Sequence, residues 1–226
     1  MGASTRRRVL VAGGLLVLAA AWLGPLPAWS RHSFAAHMLM HMAVVAIAAP
    51  LLALGVAGTR ADPSRRWPVL LAAGAAPVVA SVVEFVVVWA WHAPALHHAA
   101  RASTAMLVLE QGSFLAVGLA LWVAAFGGDA ARQRERAAAG IGGLLLTSMH
   151  MTLLGVLLAL ATRPLYVHGL HAGDAATMLP FALTPLQDQH LGGVLMLVFG
   201  GSAYLAGALW LLAGLLRERA GTVADG

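Results

Sequence analysis

Six consecutive residues, His37-Met38-Leu39-Met40-His41-Met42, carry two imidazoles and three thioethers. They stand at the head of an apolar run that continues to Leu54. On a helix, His37 and His41 lie one turn apart on the same face, with Met40 beside them and Met38 and Met42 on the adjoining flank. Neutral imidazole and thioether together suit copper, and the soft sulfurs favour Cu(I) over Cu(II). The structural alternative is that methionines fill gaps between helices while the histidines hydrogen-bond across an interface. Other residues along the chain weigh on the choice.

Glu110 stands in an otherwise apolar stretch, one turn after Met106. A carboxylate inside a membrane costs a few kcal/mol, so it marks a functional site unless a neighbour holds it neutral or hydrogen-bonded. Met149-His150-Met151 repeats the imidazole–thioether combination deep in a later apolar stretch. His92, followed by His97 and His98, ends another, and His190 opens the last, just after Asp188. Loop histidines such as His97, His98, His168 and His171 are the less specific members. Asp188 reads first as a helix cap.

The elements that position these groups follow from composition. The 226 residues are 60% hydrophobic and 10% charged, and the mean hydropathy is +0.82, far from soluble-domain usage. At ~20 residues per span there is room for about six helices. The expected fold is all-α, a polytopic membrane bundle forming one domain. Its six spans lie at about 9–29, 33–54, 68–91, 104–126, 140–162 and 190–216. The first is read as a retained span rather than a cleaved signal, and Pro50 is expected to distort the second. With no cysteine in the chain, neither disulfides nor thiolate ligands are available. Any metal must be held by His, Met, carboxylate or backbone.

A net charge of +5 is no sign of nucleic-acid binding here. All the basic residues are arginines, and they mark orientation. With the N-terminus inside, Arg6, Arg7, Arg8, Arg60, Arg65, Arg66, Arg132, Arg134, Arg136, Arg217 and Arg219 are cytoplasmic. Only Arg31, Arg101 and Arg163 lie outside. This bias predicts that both termini are cytoplasmic. It also puts every histidine except His150 in outer loops or outer half-spans. Counting ~1.5 Å per residue from the outer ends, His92 and His190 lie at the mouth. His37, Glu110, His41 and His150 follow at roughly 6, 9, 12 and 18 Å. The result is a graded ladder drawn from several helices.

Four pieces carry a family resemblance: His37 to Met42 with the trailing Ala49-Pro50-Leu51-Leu52-Ala53-Leu54-Gly55; Trp91-His92-Ala93-Pro94-Ala95-Leu96; Leu109-Glu110-Gln111; and Thr184-Pro185-Leu186-Gln187-Asp188-Gln189-His190-Leu191-Gly192-Gly193. In this order and spacing, over nearly the whole chain, the sequence resembles the CtaG family, linked to assembly of haem–copper cytochrome c oxidases. The resemblance implies a non-enzymatic assembly factor that helps copper reach the oxidase. Its implied setting is the outer face of a bacterial cytoplasmic (inner) membrane. The implied partners are the lipid bilayer, an oxidase subunit and an outer-face copper chaperone. It carries over to His37, His41, His92, Glu110 and Asp188. Gln111 and His190 depart from the family pattern, which often has His and Gln there.

The expected metal set is therefore His37, His41, Met38, Met40, Met42, His92, Glu110, His150, Met151 and His190, with copper as cargo. Two alternatives stay open. A haem-binding electron carrier would use a histidine pair such as His41 and His150 as axial ligands. A copper transporter would need soft or polar groups below His150, where the sequence offers Met196 and no histidine.

Overall fold

The computed structural model is all-α, and it describes residues 2–67, 74–128, 130–166 and 183–224. The main helices are α1 (Ala3–Leu23), α2 (Phe34–Val56), α3 (Ala76–Trp91), α4 (Pro94–Ala102), α5 (Thr104–Phe126), α6 (Ala130–Ala159) and α7 (Pro185–Arg217, continuing to Ala224). Four are long and apolar enough to cross a membrane: α2, α5, the stretch Arg136–Ala159 of α6, and α7. A fifth is gained if α3 and α4, bent by 73° at His92-Ala93, count as one broken span. The chain is a multi-pass membrane protein.

Among the described residues, four or five of the expected six spans meet this length and hydropathy, and local physics accounts for the rest. Helix α1 spends its first turns on Arg6, Arg7 and Arg8, and it stops at Gly24-Pro25. The uncharged stretch 9–23 reaches about 22 Å at ~1.5 Å per residue, short of a ~30 Å hydrocarbon core. The predicted span 9–29 is thus interrupted, and Leu26–Trp29 forms a separate short helix. The first part of the predicted span 68–91 lies outside the described residues. After Trp91 the chain does not run on as a polar turn, because Pro94 opens a new helix as its N-terminal residue.

Helix α2 lies at the centre, packed against α1, α5 and α7, while α6 packs on α3, α5 and α7. Its start is capped twice. Ser33 Oγ accepts from Ala36 N (3.1 Å). Asp188, in the first turn of α7, accepts from Phe34 N (2.5 Å), Ala35 N (3.1 Å) and Ser33 Oγ (2.7 Å). A carboxylate at a helix N-terminus satisfies orphan amides and complements the dipole. Asp188 therefore caps a neighbouring helix, whereas Thr184 and Gln187 cap its own through a capping box.

Two helices carry π-helical turns, Ala43–Ala48 in α2 and Met196–Gly201 in α7. In the first, Ala49 N–H reaches Val44 O, five residues back. The next amide would be that of Pro50, which has no N–H. Pro50 thus distorts the helix before itself, and it leaves Val45 O for a side-chain donor.

At the far end of the bundle from the histidines, Asp62 ties two loops together. It accepts from Gly58 N (2.8 Å), Ser64 N (2.9 Å), Ser64 Oγ (2.7 Å) and Gly128 N (2.8 Å). Gly58 and Gly128 hold φ of +67° and +86°, conformations that favour glycine. Burial pushes the Asp62 carboxyl up, but these hydrogen bonds outweigh it and hold the group below its ordinary value. A folded-state value below the unfolded one contributes stability at and above the ordinary carboxylate range. That contribution is lost as pH falls through the range towards the folded value. The stability gap between the wild type and Asp62→Asn should therefore be widest at neutral pH and shrink on acidification. Thermal unfolding in lipid nanodiscs across pH measures it, and a gap independent of pH would remove the carboxylate from this role.

Candidate metal centre

The His-Met helix α2 turns both its imidazoles inward. His37 and His41 are buried, at 0% and 2% exposure, as are Met38, Met40 and Met42. Their rings meet edge to face at 4.3 Å between centroids. His97 joins them from α4, its ring 4.6 Å from that of His37, and His92 sits 6.0 Å from His41. Glu110, fully buried on α5, faces both α2 imidazoles. Its oxygens lie 3.1 and 3.2 Å from His37 Nε2 and 3.6 Å from His41 Nε2. His37, His97 and Glu110 each offer a ligand atom within 4.8 Å of the others, a spacing that one metal ion can bridge.

Hydrogen bonds set which nitrogen each imidazole presents. His37 Nε2–H donates to Glu110, and its Nδ1 is buried without a hydrogen-bond partner. A carboxylate behind one ring nitrogen and a free lone pair on the other is the arrangement that orients metal-binding imidazoles. Glu110 thus either orients His37 for binding through Nδ1 or, once the Nε2 proton is released to an incoming ion, shares that ion with it. His92 is held the other way round. Its Nδ1–H donates to Val88 O (2.7 Å), and Nε2 points at Met38 Sδ (3.4 Å). Gln111 Oε1 accepts from Trp22 Nε1 (3.3 Å), which turns its amide N–H towards His41 Nδ1 (2.7 Å). The proton of His41 is then on Nε2, facing Glu110.

Below the imidazoles, a small space is lined by His41, His92, Met42, Met151 and Met196, together with Val45, Val88 and Phe114. Gly200 in the π turn of α7 borders this space: a Cβ at this position would lie 3.4 Å from Met42 Sδ and 3.4 Å from Met151 Cβ. The site thus has a nitrogen-and-carboxylate part, His37/His97/Glu110, and a softer part rich in sulfur. At the mouth, Phe34 stacks on Tyr166 at 4.5 Å. Tyr166 also packs on His97, and its hydroxyl donates to His92 O (2.7 Å). Burial pushes the Tyr166 phenol above its ordinary value, so it stays a donor.

Of the residues expected to bind metal, His37, His41, Met38, Met42, His92, Glu110 and Met151 are brought together. Met40 is buried on the same helix. His150 packs edge-on against Phe85 at 5.3 Å, and both its ring nitrogens lack hydrogen-bond partners. His190 Nε2–H donates to Ala161 O (2.8 Å), tying the start of α7 to the end of α6. His168 and His171 lie outside the described residues. Sequence reasoning passed over three groups. His97 was read as an exposed loop residue, but it lies on α4, folded back over the site. Met196 was placed near the inner half because the last span was started at 190. The helix begins at Pro185, which brings Met196 to the sulfur-lined space. Glu84, 0% exposed on α3, was missed although the rule that picked out Glu110 applies to it equally.

The family model described as cytochrome c oxidase caa3 assembly factor (Caa3_CtaG) matches residues 2–218. No curated protein matches the chain, and no solved structure does.

Proposed function

The chain belongs to the cytochrome c oxidase caa3 assembly factor family, and from that premise we propose that it carries copper for the oxidase in the buried His–Glu–Met centre. The observation that carries this reading is the convergence of His37, His97 and Glu110 within ligand-sharing distance, directly above a space lined by Met42, Met151 and Met196. Nitrogen and carboxylate ligands suit Cu(II), and thioethers suit Cu(I). A cargo ion thus has firm but escapable sites in either oxidation state. The protein acts as an assembly factor and not as an enzyme. The arginine distribution supports an outer-leaflet position for the centre, in the bacterial cytoplasmic membrane, with both termini in the cytoplasm. From there the ion passes to an oxidase subunit, and an outer-face chaperone supplies it.

Imidazole pairs at 4.3 and 6.0 Å between centroids support a metal ion over a haem, which would need a porphyrin-wide cleft between its axial ligands. Copper analysis and an optical spectrum of the purified protein test the proposal. Bound copper without a Soret band is expected. His37→Ala should lower affinity for both oxidation states. Met42→Leu combined with Met196→Leu should weaken Cu(I) by roughly ten- to a hundredfold and spare Cu(II), since only the soft ligands are removed. Competition titrations with chelators read both. Equal losses for the two ions in the methionine variant would sink the division of the site into two parts.

A further inference from the structure

We propose that Glu84, with Tyr204, Thr147 and Ser81, forms a second functional site in the membrane interior, one that reversibly binds a proton. Glu84 stands two turns below His92 on the same face of α3, about 12 Å along the helix at ~1.5 Å per residue. It belongs to no part of the metal centre. Tyr204 Oη on α7 donates to Glu84 Oε1 (2.5 Å), and Thr147 Oγ1 on α6 donates to Oε2 (3.4 Å). Ser81 and Thr147 hydroxyls meet at 2.7 Å. All four residues are fully buried, and the Tyr204 ring is held by stacking on Trp122 (5.3 Å, 22°).

A buried carboxyl can serve a merely structural purpose, but such a group needs satisfied hydrogen bonds in one protonation state only. Here both states are satisfied. With Glu84 ionised, Tyr204 and Thr147 donate to its two oxygens, and Ser81 donates to Thr147. With Glu84 protonated, the carboxyl donates to Tyr204 Oη, and the phenol needs another acceptor for its own proton. Val45 O lies 3.5 Å away, and Pro50, its π-helical partner position, has no N–H to give it. The Ser81–Thr147 contact works with either hydroxyl as donor. The missing amide of Pro50 thus makes the second pattern possible. Among the described residues no cation pairs with Glu84, so ionisation leaves a bare charge in a low-dielectric setting. The proton is what balances that charge, entering as Glu84 COO⁻ + H⁺ → COOH with no change of redox state. Oxygen-only ligands suit this hard ion and disfavour the soft one held above.

Of the titratable groups on the elements around Glu84, Tyr204 on α7 is in contact and His150 stands three residues beyond Thr147 on α6. Arg136 on α6 and Asp188, His190 and Arg217 on α7 lie more than ten residues along their helices from Thr147 and Tyr204, over ~15 Å away at ~1.5 Å per residue. His92 on α3, Glu110 on α5 and the α2 and α4 imidazoles are engaged in the metal centre. The proton site stands independently of any copper reading.

Infrared difference spectroscopy of the full-length, metal-free protein in lipid nanodiscs tests it as a pH titration. A carboxylic-acid carbonyl band is expected that disappears reversibly as pH rises, is absent in Glu84→Gln and is retained in Glu110→Gln. In Tyr204→Phe, which removes the shortest hydrogen bond to the charged form, the band should persist to more alkaline pH. A Glu84 band that never changes while circular dichroism shows the protein folded would overturn the proposal, as would the absence of such a band at every pH. If Glu84→Gln does not fold, the displacement between wild type and Tyr204→Phe still decides, and no displacement counts against the site.

Discussion

Glu110→Gln should lower copper affinity by roughly ten- to a hundredfold, the usual cost of removing a group that orients a metal-binding imidazole, with little change in the amount of folded protein. The carboxylate accepts from His37 Nε2 at 3.1–3.2 Å and faces His41 Nε2 at 3.6 Å. It thereby fixes His37 with Nδ1 as the free lone pair. It also supplies the one negative charge at the ligand-sharing distance, which helps to neutralise a bound cation. Glutamine keeps the length and one acceptor but loses that charge, and its amide can compete by donating. Glu110→Leu is the contrasting variant. It leaves His37 Nε2–H buried without an acceptor, at a cost of about 1–3 kcal/mol, so folded protein and copper should fall together. Chelator competition on both variants, beside thermal unfolding, reads the two effects. Wild-type affinity in Glu110→Gln would take this residue out of the centre.

Gly192→Ala should disturb the same centre without touching a ligand. A Cβ on Gly192 would stand 2.4 and 2.6 Å from the Phe34 ring and 3.0 Å from Met38 Cγ. Phe34 cannot swing aside, since it is 2% exposed and stacked on Tyr166. Overpacking of this kind costs about 1–3 kcal/mol. It also pushes on Met38, whose sulfur meets His92 Nε2, so a loss of metal affinity should accompany the loss of stability. Gly142→Ala is the control, because a Cβ there meets nothing within 4 Å. Unfolding midpoints of the two variants that coincide would show that α7 does not approach α2 this closely. Phe34→Leu in the Gly192→Ala background should recover part of the stability.

How much of this was legible in the sequence depended on range. His37, His41 and Glu110 were visible because helical spacing puts the imidazoles on one face and lipid makes any carboxylate conspicuous. Asp188 looked like a cap from its position, and it is one, but for another helix. That pairing joins residues more than 150 positions apart, and no local pattern encodes it. His97 and Met196 were misplaced for a related reason: their positions depend on where a helix starts and how it bends, the least certain features of an apolar chain. Glu84 sits among valines and tryptophans that read as an ordinary span. The hydroxyls that donate to it come from two distant helices, and Thr147 and Tyr204 carry no signal alone. A copper pathway through the lower half needs soft or polar groups there, and the sequence offers no histidine below His150. Glu84 is a polar group in that half, but its oxygen partners favour a proton over a soft metal.

The π turn in α2 has a consequence for how the chain tolerates change in length. A π turn accommodates one more residue than the α-helical turn it replaces, and each residue added to an α-helix rotates everything beyond it by about 100°. The turn over Ala43–Ala48 therefore sets the angular phase between the histidine half of α2 and the half beginning at Pro50. Removing one residue from it would preserve an apolar span of almost the same length, and hydropathy would register nothing. Yet His37 and His41 would swing by more than a quarter turn, away from Glu110. Counted in residues, the distance between the imidazoles and Pro50 is as much a part of the site as the imidazoles themselves.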